Sequence, residues 1–187
     1  MKKVGVFFGA GFEEIEALTV VDLLRRVNID VQCISIDNQK QVMGSHQINV
    51  AMDAGIDEVD FDSLDMIVCP GGMPGTKNLE ACSALTEQIR SFYENGKLIG
   101  AICAAPSIFG HMGLLKGRKA CIFPGMEEEL IGAEVVYDEV AQSEHVITSR
   151  GMGTAIAFGL KIVENLMDQE TADMLGEKIV YHAHVEA

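Results

Sequence analysis

The chain has 187 residues, 48% of them apolar, which is enough to build one globular domain with a substantial core over residues 1–187. It contains no run of about 18 apolar residues, so the sequence predicts no membrane-spanning helix. Its formal net charge of −14 disfavours a nucleic-acid backbone or an anionic membrane surface as a partner.

Segments with strand and helix character alternate along the chain. Strands are predicted over residues 4–8, 31–36, 65–69, 97–102, 134–137 and 145–149, and helices over 13–27, 84–93, 104–109, 154–167 and 170–179. Residues 42–50 are predicted to form a hairpin or edge strands around Gly44. This alternation predicts an α/β fold with a mostly parallel sheet covered on both faces, whose functional groups lie beyond the carboxyl ends of the strands. The ten methionines are expected mostly to fill the core.

The amino terminus and the cysteines both favour a cytoplasmic protein. Met1-Lys2-Lys3 resembles the start of an export signal, but the apolar stretch after it is short and runs straight into acidic residues. We therefore expect a first strand there. The five cysteines lie in apolar settings without a C-x-x-C pair, which predicts reduced thiols; they are Cys33, Cys69, Cys82, Cys103 and Cys121.

Cofactor signals in the sequence are weak. Gly9-Ala10-Gly11 after the first strand invites a dinucleotide-binding interpretation, but the fingerprint needs glycine where Glu14 stands. A carboxylate at the start of the helix would also repel a pyrophosphate. His182 and His184 are the nearest approach to a metal-ligand pair, and we interpret them as part of a frayed tail. We expect neither a metal nor an organic cofactor.

Cys103 lies where a predicted strand turns sharply into a predicted helix, the setting of a nucleophile elbow. A thiol there points out of the sheet, and the helix dipole favours its reactive thiolate form. Pro106 suits the first turn of that helix, where a missing N–H has no cost. The alternative is a buried structural cysteine, which the local pattern alone does not exclude.

Three glutamates open the first helix, where carboxylates suit the helix dipole. That role accounts for Glu13 and Glu14. Glu16 precedes a strongly apolar face, and a helix packed under the same sheet edge would aim it at Cys103. A carboxyl group beside a thiol can relay protons, and burial would raise its pKa.

Backbone amides near Cys103 are candidates for an oxyanion hole. The glycines of Pro70-Gly71-Gly72 permit unusual backbone conformations and close approach of a ligand, so this loop can supply one N–H. The N–H of Ala104 would be the second donor. Arg150, at the end of a later strand, either binds a substrate oxygen or a second copy of the chain, or is a surface cation.

Together these motifs resemble the ThiJ/PfpI superfamily, and most closely its branch of the parkinsonism-associated protein deglycase and the bacterial YajL-type proteins. The resemblance runs nearly end to end through five segments in matching order; they are Glu13-Glu14-Ile15-Glu16, Val21-Asp22-Leu23-Leu24-Arg25-Arg26, Val68-Cys69-Pro70-Gly71-Gly72, Ala101-Ile102-Cys103-Ala104-Ala105-Pro106 and Ile147-Thr148-Ser149-Arg150-Gly151-Met152-Gly153-Thr154.

The resemblance implies a flavodoxin-like three-layer sandwich that forms a homodimer. It implies Cys103 as an oxidation-prone nucleophile, Glu16 as the carboxylic acid touching it, and the amides of Gly72 and Ala104 as the oxyanion pocket. The implied activity is a cofactor-free glyoxalase or deglycase reaction in the stress response, on small dicarbonyls or their early adducts. Redox sensing and redox-regulated holdase chaperone activity, using the same cysteine, are the alternative.

The chain departs from the family pattern at two positions. A histidine before a proline in relatives is replaced by Phe123, and a basic position, arginine in relatives, corresponds to His46, a candidate for substrate binding. Without the histidine, Glu16 would handle proton transfer largely alone. General acid–base help is worth about 100- to 10,000-fold, so we expect slow turnover.

Two other cysteine enzymes are less favoured. A peptidase of the superfamily would place histidine directly after the nucleophile, where this chain has Ala104. A glutamine amidotransferase would want glycine at Ala105 and a downstream His-x-Glu. His184-Val185-Glu186 matches the second requirement but lies at the end of the chain.

Overall fold

The computed structural model describes residues 1–181. The strands are β1 (Lys3–Phe8), β2 (Asp30–Ser35), β3 (Gln41–Met43), β4 (Asn49–Ala51), β5 (Ala54–Gly55), β6 (Met66–Cys69), β7 (Leu98–Ile102), β8 (Lys119–Ala120), β9 (Glu134–Val135), β10 (Val140–Ser143) and β11 (Val146–Ser149). The helices are α1 (Glu14–Arg26), α2 (Gly75–Ala81), α3 (Ser83–Glu94), α4 (Pro106–His111), α5 (Ala155–Leu166) and α6 (Gln169–Lys178). Within this span, no helix is both long and apolar enough to cross a bilayer.

A seven-stranded sheet in the order β10-β11-β7-β6-β1-β2-β5 forms the centre of the molecule. Every neighbouring pair is parallel except β10 and β11. The central strands are continuous apolar runs because helices cover both faces of the sheet. The predicted α/β fold with a mostly parallel sheet is confirmed.

Successive side chains of β1 enter opposite layers of the core. Val4, Val6 and Phe8 pack in the apolar cluster that holds α1, α5 and α6. Phe7 packs in the other cluster, with residues of α2, α3 and α4. This period of two follows from the pleat of the strand, and it produces the predicted three-layer sandwich.

The chain differs from the sequence-based prediction in several places, and the short strands β5 and β8 were not predicted. The hairpin around Gly44 is present as β3 and β4, but β9 pairs with β8 outside the central sheet. Helix α2 was not predicted, because Leu79 is its one large apolar residue and a single residue gives no periodic pattern. The short edge strand β10 was also not predicted. The methionines do not mostly fill the core, since six are exposed; they are Met1, Met43, Met73, Met152, Met167 and Met174.

Four turns come together at one edge of the sheet. The neighbouring parallel strands β11, β7, β6 and β1 end at Ser149, Ile102, Cys69 and Phe8. Since carboxyl ends of adjacent parallel strands share an edge, the segments that follow them lie side by side. This edge carries Cys103 and the helix entry that contains Glu16.

His111, the last residue of α4, is hydrogen-bonded to two other segments, helix α2 and the 3₁₀ turn that contains Glu129. Its Nδ1 lies 2.5 Å from Glu80 Oε1 of α2, and its Nε2 lies 2.6 Å from Glu129 Oε2. Hydrogen bonding to Glu80 and then to Glu129 raises the pKa of His111, because only the doubly protonated ring can donate to both carboxylates.

We predict that His111→Gln destabilises the fold by about 1 kcal/mol near pH 6. A raised folded-state pKa gives stability that is complete below the unfolded-state value and is lost as pH rises through the folded-state value. The difference in unfolding free energy between wild type and variant, measured by urea denaturation, should therefore shrink towards alkaline pH. His145→Gln serves as the control, and a pH-independent difference for His111→Gln would contradict the prediction.

Candidate active site

Cys103 occupies a strained turn between β7 and α4. Its φ of +64° is in the left-handed region, which non-glycine residues rarely adopt. The turn is held by hydrogen bonds from the Cys103 N–H to the Ser149 carbonyl (3.0 Å) and from the Phe123 N–H to the Cys103 carbonyl (2.8 Å). The predicted strand–turn–helix is present, with Pro106 at the start of α4, and the thiol is partly buried. Such strain is typical of functional turns.

Glu16 reaches this thiol from the first turn of α1. Its side chain is buried, with 1% of the residue exposed, and its carboxyl group is hydrogen-bonded to the Cys103 side chain. The Gly71 N–H donates to Glu16 Oε2 over 3.0 Å. Glu16 Oε1 has no hydrogen-bond partner among the described residues, which leaves one buried oxygen available to another molecule.

Gly71 is the residue that permits this approach. A Cβ there would lie 2.6 Å from the Cys103 Cβ and 2.7 Å from Glu16 Oε2, so no side chain fits. Because its N–H is donated to Glu16, Gly71 orients the carboxyl group instead of facing a substrate oxygen. The amides of Ala104 and Gly72 lie near enough to the Cys103 sulfur to lower the pKa of the thiol, and Gly72 has a φ of +90°.

The thiol and the carboxyl group share protons. Burial raises the pKa of Glu16 to about 7, against the hydrogen bonds from Cys103 and Gly71. Burial also raises the pKa of Cys103 to about 12, and the neighbouring Glu16 carboxylate adds to the rise, while the Ala104 and Gly72 amides oppose it. Two adjacent anions are disfavoured in this dry setting, so above about pH 7 the pair keeps one proton.

Burial and the neighbouring carboxylate raise the pKa of the thiol by more than the Ala104 amide, just before α4, lowers it, although that lowering is the effect expected at a helix N-terminus. Helix α4 has only six residues, and its N-terminus does not outweigh burial and the adjacent carboxylate. A thiolate at Cys103 requires the proton to sit on Glu16. In that arrangement the carboxylate repulsion disappears, and the two amides face the sulfur anion.

His46 lies in a separate cluster beside this pair. Its Nδ1 lies 3.0 Å from Glu14 Oε2 and 3.6 Å from Glu13 Oε1, and Ser45 Oγ lies 3.0 Å from the same nitrogen. The interpretation of Glu14 as a simple dipole partner is too narrow, because that residue is only 4% exposed. Burial alone would raise the pKa of Glu14, but hydrogen bonds from His46 and Ser45 hold it at about 2.

The Glu13, Glu14 and His46 side chains are the one group within residues 1–181 whose ligand atoms have metal-like spacing. Their facing atoms already hydrogen-bond to one another and to Ser45, so the grouping does not by itself indicate an ion. His182, His184 and the His184-Val185-Glu186 match lie outside the described residues.

Arg150 extends from the end of β11 towards Tyr137. Its guanidinium donates to the Tyr137 carbonyl over 3.3 Å and lies 5.8 Å from that ring. The next residue, Gly151, is the one that borders the reactive pair, because a Cβ there would lie 4.0 Å from Glu16 Oε1. Sequence reasoning did not single out Gly151, although its place directly after a parallel strand next to β7 was a usable signal.

The other four cysteines are poorer candidates for reaction. Burial raises the pKa of Cys69 to about 12 and that of Cys33 to about 11. Cys121 is fully buried, with its sulfur 3.3 Å from the Thr148 carbonyl oxygen, and Cys82 is partly exposed. None of them pairs with a carboxyl group and two amides in the way that Cys103 does.

Comparison with known proteins places this site in a family. A model of the DJ-1/PfpI family matches residues 2–165. Protein DJ-1 homolog A of Arabidopsis thaliana is 39% identical over 166 residues, which are 88% of this chain but 42% of that relative's length. The glutathione-independent glyoxalase DJR-1.2 of Caenorhabditis elegans is 33% identical over 87% of both chains.

Solved structures agree with the sequence relatives. The structure described as Toxoplasma gondii DJ-1, oxidized, superposes with a TM-score of 0.93 at 34% identity, over 98% of this chain and 100% of that one. The resemblance found in the sequence motifs is thus confirmed across nearly the whole chain. From its sequence relatives and its fold, this chain belongs to the DJ-1/PfpI family.

Proposed function

We propose that the chain is a cofactor-free stress-response enzyme that uses Cys103 to convert small dicarbonyls, or their early adducts on amines and thiols, in a glyoxalase- or deglycase-type reaction. The observation that supports this most is the contact of a thiol with a buried carboxyl group whose pKa is raised to about 7. The name of the Caenorhabditis elegans relative, a glutathione-independent glyoxalase, supports the same class of substrate.

In the first step, the Cys103 proton moves to Glu16 as the sulfur attacks the aldehyde carbon. A C–S bond forms and the carbonyl π electrons move to oxygen, which gives a hemithioacetal oxyanion. The N–H groups of Ala104 and Gly72, already directed at the sulfur, are the donors for this oxygen. Removal of one such donor from an oxyanion hole typically costs about 100- to 1,000-fold in rate.

In the second step, Glu16 first gives the thiol's proton to the hemithioacetal oxyanion and is a carboxylate again. Its Oε2 is anchored by Gly71, and the unpartnered Oε1 then takes the proton from the former aldehyde carbon and delivers it to the adjacent carbonyl carbon through an enediol, whose two oxygens exchange one proton. The resulting thioester is hydrolysed by water, which releases a 2-hydroxy acid and restores the thiol. An early adduct on an amine or thiol would enter the same path with that group leaving.

A homodimer, a cytoplasmic location and a single domain over residues 1–187 are part of the proposal. Ile15, Met43 and Ile48 are about half exposed. Ile15 follows Glu14, whose carboxyl group packs on Gly44; Met43 precedes Gly44, and the Gly44 N–H donates to the Ile48 carbonyl. Exposed apolar residues at one place favour contact with a second copy. Light scattering on the purified protein would test the dimer.

Redox sensing is the second candidate function, and the accessibility of Cys103 favours it. The same amides and the protonated carboxyl group would hydrogen-bond the oxygens of a sulfenic or sulfinic acid. A holdase chaperone controlled by this oxidation is a variant of the same proposal. The related Toxoplasma gondii structure is described as oxidized.

We predict that Cys103→Ser abolishes methylglyoxal turnover and that Glu16→Gln lowers kcat by about 100-fold or more, since it removes the proton carrier. Glutamine keeps an oxygen for the Gly71 N–H, so the fold should persist. Lactate release measures the rate, and Cys82→Ser is the matched cysteine control. Unchanged activity in Cys103→Ser would refute the scheme.

We also predict that kcat/KM rises with pH through about 7 and then levels. Because burial raises the pKa of Glu16 to about 7, acid adds a second proton to the pair and removes its base. The rate should fall about tenfold per pH unit well below that value. The pH profile of the residual activity in Glu16→Gln should show no inflection near pH 7. If that inflection persists, it belongs to a group other than Glu16, and the prediction is wrong.

Mild peroxide is predicted to add two oxygen atoms to Cys103 before it modifies Cys33, Cys69 or Cys121, because those three thiols are buried, whereas Cys103 is partly exposed and can pass its proton to Glu16. Intact mass and peptide mapping give the number and the place of the oxygens, with Cys103→Ser as the control. Ready oxidation without turnover of methylglyoxal would favour the sensor over the enzyme. First oxidation at a buried cysteine would contradict the prediction.

A further inference from the structure

Phe123 stands beside the reactive pair, yet the reaction steps above make no use of its side chain. Its N–H is bonded to the Cys103 carbonyl, which fixes the residue next to the nucleophile. A Cβ built on Gly151 would lie 3.5 Å from Phe123 Cδ2 and 4.0 Å from Glu16 Oε1. The aromatic ring and the unpartnered carboxyl oxygen therefore border the same small space, which glycine leaves open.

Phe123 and two methionines that adjoin the site's glycines in the chain are apolar and exposed. Phe123 is 46% exposed, Met152 next to Gly151 is 52% exposed, and Met73 next to Gly72 is 45% exposed. Met152 and Met73 thus each follow a glycine whose backbone borders the pair formed by the Cys103 thiol and the Glu16 carboxyl group. An apolar group that covers them gains from the removal of water, and a flat ring can also stack on Phe123.

Charged groups near the pair are engaged elsewhere. His46 is hydrogen-bonded to Glu14 and Ser45, and the Arg150 guanidinium contacts Tyr137. These contacts direct both cations towards residues other than Cys103 and Glu16. Dispersion and burial at Phe123 are therefore the source of recognition that we consider for the group attached to the dicarbonyl.

The geometry points to Phe123 as a specificity-determining residue that favours α-oxoaldehydes bearing an aryl or bulky alkyl group over methylglyoxal. This inference rests on the proposed function and names its substrate class. Sulfur adds to the aldehyde carbon, and the ring contacts the substituent on the adjacent ketone carbon. The overall change takes up one water molecule and yields the aryl- or alkyl-substituted 2-hydroxy acid, so no oxidant or reductant is needed.

The test compares kcat/KM for phenylglyoxal, cyclohexylglyoxal and methylglyoxal in the wild type, Phe123→Ala, Phe123→Tyr and Met174→Ala. We expect the wild type to prefer the two bulky substrates by about tenfold or more. Phe123→Ala should reduce that ratio about tenfold, and Phe123→Tyr should retain it. Met174→Ala removes an exposed apolar side chain of α6 and should leave the ratio unchanged. Equal ratios in the wild type and Phe123→Ala would overturn the inference.

A second measurement separates this inference from the proposed function. Reversible hemithioacetal formation protects Cys103 from iodoacetamide, and peptide mapping reports that protection without turnover. The wild type should be protected at about tenfold lower concentrations of phenylglyoxal than of methylglyoxal, and Phe123→Ala should lose this difference. If the wild type turns over none of the three substrates, the proposed function fails and protection alone decides the role of Phe123. If Phe123→Ala changes the oligomeric mass but leaves the ratio of kcat/KM for bulky substrates to that for methylglyoxal unchanged, the ring is a contact between two copies of the chain and the inference is overturned.

Discussion

The contact between the Glu16 carboxyl group and the Cys103 sulfur is the interaction on which the rest of the site depends. A carboxyl group that is only 1% exposed is expensive to ionise, and a thiol beside it is harder to ionise still. Neither group is suited to its role alone. Together they hold one proton above about pH 7, because two adjacent anions are disfavoured in this buried place; in the proposed reaction that proton passes from the sulfur to the carboxyl oxygen.

The surrounding backbone is organised to make that contact possible. Gly71 lacks a side chain because both reactive groups occupy the space, and its N–H fixes one carboxyl oxygen. The positive φ of Cys103 turns its sulfur towards the amides of Ala104 and Gly72. Such strain persists only where the neighbouring structure imposes it, and here the hydrogen bonds to Ser149 and from Phe123 do so. Stability is given up at this edge of the sheet for chemistry.

Two glutamates of the first helix, two residues apart, meet different environments. Against burial, hydrogen bonds from His46 and Ser45 hold the pKa of Glu14 at about 2, whereas Glu16, with one oxygen that has no partner within residues 1–181, has its pKa raised to about 7 by burial. Both side chains are buried, so burial alone does not separate them. Hydrogen bonding does, and it assigns proton transfer to Glu16.

The α/β fold, the turn at Cys103 and the neighbouring glycine loop were predictable from the sequence, because apolar periodicity and turn residues are local signals. The partnership of Cys103 with Glu16 is not local, and its prediction came from the shared sheet edge and from the family resemblance. Neither source revealed the raised pKa of the thiol, the different roles of Gly71 and Gly72, or the buried pairing of Glu14 with His46. These depend on desolvation and on hydrogen bonds between segments that are far apart in the chain, so they became visible only in the folded structure. The position of Phe123 beside Gly151 is of the same kind: they lie 28 positions apart in the chain, and the fold puts the Phe123 ring 3.5 Å from where a Gly151 Cβ would stand.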